Sequence, residues 1–234
     1  FPPVPCYNGR MDTKEEILKE LARLYPDAGP ALQFRTPYEL LIAVMLSAQC
    51  TDERVNKVTK VLFREHDTPE KMLTLSQEEL ETYIFSCGFY HNKAAHILSA
   101  SKDILERFGG EVPSTREELE TLAGVGRKTA NVVYAFAFGG NAIAVDTHVF
   151  RVANRLGLAP GKTPFEVEKG LMALIPEQDW SKAHHWLIWH GRKVCHSQRP
   201  SCDVCTLAPL CPYFAKTKGT LTAESAPGQN ASNA

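Results

Sequence analysis

Ser76, Ser114 and Thr163 each stand three residues ahead of a glutamate, Glu79, Glu117 and Glu166. A hydroxyl and a carboxylate at that spacing cap the first turn of a helix reciprocally, each accepting from a backbone N–H that the helix leaves unpaired. Further helix starts are marked by Asp12 ahead of EEILKELARLY, Pro37 ahead of YELLIAVMLSAQ, Asp146 ahead of THVFRVANRL and Ser181 ahead of KAHHWLIWHG. Apolar residues recur at helical spacing behind these signals, as at Ile17, Leu18, Leu21 and Leu24. AIAV before Asp146 is the only candidate strand, and it is too short to build a sheet. A chain punctuated in this way folds as all-α.

Connections are short and marked by Pro and Gly (Pro26 to Pro30, Gly109-Gly110, Pro160-Gly161), so no linker cuts the sequence in two. Two domains must therefore interleave, with an N-terminal helix returning to join the C-terminal third. The Pro-rich opening, residues 1–11, reads as a flexible leader, and the Ser/Ala/Asn/Gly-rich residues 216–234 as a disordered tail. The longest charge-free stretch, Thr129 to Val145, is broken by Gly139-Gly140 and stops short of a membrane-spanning length. Neither end resembles a secretory or transit peptide, so a cytoplasmic protein is expected.

A net charge of −1 argues against a nucleic-acid binder until its distribution is read. Residues 1–120 carry 14 Lys and Arg against 20 Asp and Glu, whereas residues 121–234 carry 12 against 7. From Trp180 to Cys202 there is no acid, while Lys182, Arg192, Lys193 and Arg199 are joined by four histidines. Such a patch can contact phosphate although the whole chain is near neutral; it can equally be a solvated basic surface.

Four of the seven cysteines, Cys195, Cys202, Cys205 and Cys211, fall in seventeen residues with the spacing C-x6-C-x2-C-x5-C. Without a signal for an oxidising compartment, disulfides are disfavoured and a metal site is favoured. Structural zinc usually takes two close-spaced pairs, and only one is present; four thiolates on one compact loop suit a [4Fe–4S] cluster as well. Spacing leaves both open. Cys6, Cys50 and Cys87 are scattered and read as small hydrophobes or a leader thiol.

In LAGVGRKTAN, residues 122–131, Gly124 and Gly126 permit left-handed backbone and bring amide N–H groups within reach of a phosphate. Between a helix over 114–122 and one starting near Arg127, the turn makes a helix–hairpin–helix. Lys128 sits in the first turn, where the helix dipole already presents positive charge, so a structural role is disfavoured. It can bind phosphate, or its neutral amine can attack an electrophilic carbon and form a Schiff base. A helix terminus supplies at most roughly 1 kcal/mol, less than one pKa unit from a start near 10.4, so burial or a neighbouring cation such as Arg127 must supply the rest. Asp146, ahead of THVFR, is a good N-cap and needs no catalytic explanation. A carboxylate fixed there can also stabilise a developing sugar cation, and the two roles are compatible.

LAGVGRKTANVV, then VDTHVFR, then HHWLIWHGRKVC leading into the four cysteines, with ELLIAVMLSAQCTD and GFYHNKA upstream, closely resemble the bacterial endonuclease III family. These are DNA glycosylases and AP lyases of the helix–hairpin–helix superfamily, and the similarity covers roughly Asp12 to Tyr213. The resemblance implies a six-helix barrel over residues 36–145 carrying the hairpin, and an iron–sulfur domain made of 12–35 plus 146–215, with double-stranded DNA across the cleft between them. It implies a [4Fe–4S] cluster on Cys195, Cys202, Cys205 and Cys211, Lys128 as Schiff-base nucleophile and Asp146 as the essential carboxylate. Gln49 matches the residue that fills the hole left by the flipped nucleotide, and Phe89 the wedge. Gly124, Val125, Gly126, Arg127, His148, Arg192 and Lys193 are the further expected DNA contacts. The enzyme implied is a monomer that removes oxidised pyrimidines and cleaves the strand by β-elimination.

Three residues depart from the pattern: Ala123 for a Pro before GVG, Cys50 for a small residue after Gln49, and Phe89 for a Leu wedge. Two other readings compete. A monofunctional glycosylase for adenine or mismatched thymine commonly has Ser or Tyr at the position of Lys128, and a non-catalytic DNA-binding module with structural zinc needs neither Lys128 nor Asp146.

Overall fold

A computed structural model describes residues 9–217 of the chain. The expected leader and tail lie outside the described residues except at 9–11 and 216–217, which are helical. Eleven α-helices are found among the described residues: α1 (Gly9–Leu24), α2 (Pro37–Leu46), α3 (Asp52–Leu62), α4 (Pro69–Met72), α5 (Gln77–Ile84), α6 (Tyr90–Phe108), α7 (Arg116–Leu119), α8 (Arg127–Ala137), α9 (Thr147–Arg155), α10 (Pro164–Leu174) and α11 (Trp180–Lys193). Short 3₁₀ turns and one further helical turn at 212–217 complete the described chain, and no strand forms among these residues. AIAV is irregular backbone leading into α9. No helix among the described residues is long and apolar enough to cross a membrane.

Residues 29–144 with 176–182 form one compact unit. Its centre is α2, in which every residue from Tyr38 to Leu46 is buried. A helix apolar on all sides must be surrounded, and α3, α6 and α8 pack against it. Thr36 caps α2 through the Glu39 N–H, and Pro37 occupies the first turn, where its missing N–H costs nothing. The buried Glu39 carboxylate is paired to Arg35, which donates from its backbone N–H and its guanidinium. Tyr38 of α2 hydrogen-bonds Ser101 of α6 at 2.6 Å; because Ser101 donates to the Ile97 carbonyl, the tyrosine is the donor.

The other unit gathers α1, residues 145–175 and residues 183–217. The N-terminal helix is tied in at two points: Lys14 Nζ donates to the Leu158 carbonyl at 2.8 Å, and the Tyr25 hydroxyl meets His190 Nδ1 at 3.1 Å. Ile17 and Leu21 of α1 are buried.

The caps show which sequence signals set the helices. Ser76 and Glu79 close a full capping box on α5. Thr163 caps α10, but Glu166 turns back to the Lys162 N–H instead of the cap residue. The box expected at Ser114 and Glu117 does not form; the cap sits one residue later, with the Thr115 hydroxyl accepting from the Glu118 N–H and donating to the Glu118 carboxylate. Ser-Thr followed by Glu-Glu satisfies the pattern in either register, and α7, only Arg116 to Leu119, takes the second.

Candidate functional site

In the larger unit, α7, the turn and α8 form the helix–hairpin–helix, with a first limb of a single helical turn instead of the helix expected over 114–122. Leu119, Leu122 and Val125 are buried in the core and anchor the turn. Gly124 alone is left-handed, at φ 74°; Gly126 has φ −91° and extended backbone, so its lack of a side chain serves access and not conformation. A Cβ on Gly126 would meet nothing within 4 Å. No side chain caps α8, so the N–H groups of its first turn face outward at the positive end of the helix dipole. Gly126, Arg127 and Lys128 are all exposed there, and no hydrogen bond or ion pair engages the Lys128 ammonium among the described residues. The Val125 side chain points into the core and its N–H is taken by the Leu122 carbonyl, so its part in any contact is limited to the backbone carbonyl.

Gln49 and Phe89 share a feature that sequence did not show. Both are exposed non-glycine residues in the left-handed region, at φ 53° and 48°; among the described residues only Arg199 shares it. Gln49 lies in the turn after α2, and Phe89 is the N-cap of α6, following Gly88 at φ 67°. Phe89 is 65% exposed, and Phe85, 64% exposed, meets the Tyr90 ring beside it at a tilt of 54°, 4.9 Å between centroids. Between the two segments lies buried Lys93. Its ammonium donates at 2.8 Å to each of three carbonyls: Leu46 and Ala48 on one segment, Cys87 on the other. The Cys50 thiol lies in the same place, and burial first, then Cys50, pushes the Cys87 thiol up to about 11.

In the smaller unit, Asp146 is the N-cap of α9. One oxygen, Oδ1, takes both the His148 and Val149 N–H groups at 2.8 Å, leaving Oδ2 without a hydrogen bond among the described residues. His148 Nδ1 accepts from the Arg151 guanidinium at 3.1 Å. Burial holds the His148 imidazole below its usual pKa, helped by Arg151 and Arg192 and opposed by Asp146. Gly191 of α11 packs against His148 so closely that a Cβ there would sit 3.0 Å from the His148 Cβ. Asp146, His148 and Arg192 are thus one neighbourhood. Lys193 is exposed beside it in sequence but rests 4.8 Å over the Trp189 ring and 5.7 Å over Tyr25. Of the four histidines expected to join the basic surface, His184, His185 and His190 are buried, because α11 turns that stripe inward with Ala183 and Leu187.

Cys195, Cys202, Cys205 and Cys211 line one cavity in this unit. Among the described residues no three His, Cys, Asp or Glu side chains converge on a point that could hold one ion. Four thiols around one space are a donor set that could hold a structural zinc or a [4Fe–4S] cluster. Arg155 supports them in a way the sequence concealed: it donates to Cys195 Sγ at 3.4 Å and to the His196 carbonyl, and its guanidinium lies 4.4 Å over Tyr213. His190 Nε2 is 3.7 Å from Cys205 Sγ.

Comparison with known proteins gives a consistent picture. Residues 42–177 match the HhH-GPD superfamily of base excision DNA repair proteins. Endonuclease III of Bacillus subtilis is 52% identical over 198 residues, 84% of this chain and 90% of that one. Endonuclease III of Haemophilus influenzae is 47% identical over 203 residues, 87% of this chain and 96% of that one. A solved endonuclease III, trapped as a covalent intermediate with DNA in an estranged-adenine complex, has 50% identity and a TM-score of 0.84, covering 88% of this chain and 98% of that one.

Proposed function

Because the chain belongs to the HhH-GPD superfamily of base excision DNA repair proteins, and within it to the endonuclease III family, we propose that it is a DNA glycosylase and AP lyase that excises oxidised pyrimidines through a lysine Schiff base. The observation that carries this reading is Lys128: an exposed ammonium, with no partner among the described residues, in the first turn of α8, which no side chain caps. The endonuclease III trapped covalently with DNA lends support from outside the chain.

The reaction requires the target nucleotide to leave the stack. Phe89 enters the duplex beside it and Gln49 fills the space it vacates, while the backbone amides from Gly126 into the first turn of α8 receive a phosphate. Arg127, His148, Arg192 and Lys193 are the further backbone contacts. Lys128 gives up a proton and its amine attacks the deoxyribose C1′; the new C–N bond replaces the glycosidic bond, and the base departs with its electron pair and is protonated. The nitrogen lone pair then opens the sugar ring, breaking the C1′–O4′ bond as O4′ takes up a proton, and the resulting iminium acidifies C2′; loss of that proton expels the 3′ phosphate by β-elimination. Asp146 stabilises the positive charge on the sugar and assists the proton transfers. Its capping duty and this role do not compete, because Oδ1 alone serves the cap.

The four cysteines hold a [4Fe–4S] cluster that ties residues 195–211 together and takes no part in the chemistry. The same reading makes the protein a cytoplasmic monomer acting on double-stranded DNA.

Borohydride trapping on an abasic-site duplex tests the assignment. The parent protein forms a covalent complex, and Lys128→Gln abolishes it while DNA affinity stays within about tenfold, since one phosphate-type contact carries a modest share of binding. No trapping by the parent protein, or trapping retained in the variant, overturns it; the first outcome is that of a monofunctional glycosylase or a non-catalytic module.

A further inference from the structure

Lys93 is a cation with no acid beside it among the described residues. It lies in the first turn of α6, where the helix dipole disfavours positive charge, and burial pushes its ammonium below the usual lysine pKa. The groups around it are three main-chain carbonyls and the Cys50 and Cys87 thiols. Hydrophobic packing alone does not require an ammonium here; a methionine would fill the same volume.

What the ammonium does is geometric. The Leu46 and Ala48 carbonyls belong to the end of α2 and the turn that follows, one residue before Gln49; the Cys87 carbonyl lies two residues before Phe89. The last carbonyls of a helix have no partner within it, so a donor placed among them decides where the departing chain goes. Gln49 and Phe89 are both in a left-handed conformation that costs a residue with a Cβ free energy, and such conformations persist only where surrounding contacts over-determine them. Lys93 supplies contacts to both segments at once, and its own N–H donates to the Phe89 carbonyl at 3.1 Å.

We propose that Lys93 is the positioning residue that fixes the spacing of Gln49 and Phe89, so that the two enter the duplex together when a base is extruded. This rests on the reading of Gln49 as the residue that fills the helix and Phe89 as the wedge. Lys93 touches neither DNA nor the reacting atoms.

A mutant cycle tests it. Single-turnover excision of an oxidised pyrimidine from a paired duplex is measured for the parent, Lys93→Met, Gln49→Ala/Phe89→Ala and the triple variant, with a 2-aminopurine opposite the lesion reporting unstacking. Lys93→Met lowers excision at least tenfold and suppresses the fluorescence rise in the parent background, but lowers excision less than twofold further once Gln49 and Phe89 are truncated. If the loss is the same in both backgrounds, Lys93 acts on the enzyme as a whole and the proposal falls. It falls equally if Lys93→Met leaves duplex excision unchanged. If Gln49→Ala/Phe89→Ala excises like the parent, the roles assigned to those two residues fail, and the proposal with them, for a distinguishable reason. Should Lys93→Met lack a cooperative melt, Lys93→Gln, which keeps a shorter neutral donor, is read by the same criteria.

Discussion

The Cα of Gly124 faces the His96 imidazole so closely that a Cβ on the glycine would stand 2.8 Å from the histidine Cβ and 2.9 Å from its ring. The hairpin turn is therefore seated on α6, and Gly124 combines that close approach with a φ of 74°. Gly126, two residues on, has neither constraint.

The two glycines should separate stability from binding. Gly124→Ala incurs the left-handed penalty of about 1–2 kcal/mol and must displace His96, so its melting temperature should fall by roughly 4 °C or more. Gly126→Ala costs at most about 1 kcal/mol as a poorer N-cap. It nevertheless places a methyl where a phosphate oxygen approaches the backbone, so its affinity for an abasic-analogue duplex should drop clearly. Equal melting losses with equal affinity losses would contradict this division.

Asp146→Asn tests the two duties of one carboxylate. Asn caps a helix about as well as Asp, and both N–H groups need only one acceptor oxygen, so stability should change by less than about 0.5 kcal/mol. Excision and strand cleavage should fall by at least a hundredfold, because the charge that offsets the sugar cation is gone. A variant that keeps both its stability and its activity would reduce Asp146 to a cap.

His148 gives a pH dependence with a definite sign. Burial lowers its folded-state pKa below the unfolded value near 6.5, so between the two the unfolded chain holds a proton that the folded chain lacks. Stability from this residue is complete above about pH 6.5 and is lost as pH falls below that value, until the folded pKa is passed. His148→Gln keeps an acceptor for Arg151 and cannot titrate. Its urea midpoint should therefore decline less than the parent's between pH 7 and pH 5. An identical decline in both proteins would place the titration elsewhere.

How much was legible in the sequence depended on whether a residue's partners lie nearby in the chain. Capping hydroxyls, the GVG turn and the four cysteines are local patterns, and they could be read directly. Ser114 against Thr115 shows the limit even there: two registers satisfied one pattern, and packing of Leu119 and Leu122 belongs to the register that formed. The burial of the α11 histidines is not legible in composition, which counts charge and does not say which face of a helix turns inward. Lys93 and Arg155 left no signal at all. Their acceptors are mostly main-chain carbonyls, which any residue provides, some forty residues or more away for Leu46, Ala48, His196 and Ser197.

Phe89 allows the wedge to be tested without loss of fold. A core phenylalanine truncated to alanine loses about 3–5 kcal/mol, but this residue is 65% exposed and has no such packing to lose. Its backbone, at φ 48°, is strained for any residue with a Cβ, and glycine relieves that strain. Phe89→Gly should therefore be as stable as the parent or more so, by up to about 1 kcal/mol and a rise of roughly 2–4 °C in melting temperature. Excision from paired DNA should fall all the same. Unstacking costs a few kcal/mol per base step, and the ring that offsets it by stacking on the neighbouring base has been removed. Phe89→Leu, which restores an aliphatic wedge, should recover most of the excision without the gain in stability. A melting temperature that drops by 10 °C in Phe89→Gly, with normal turnover per folded molecule, would show instead that the ring serves the fold.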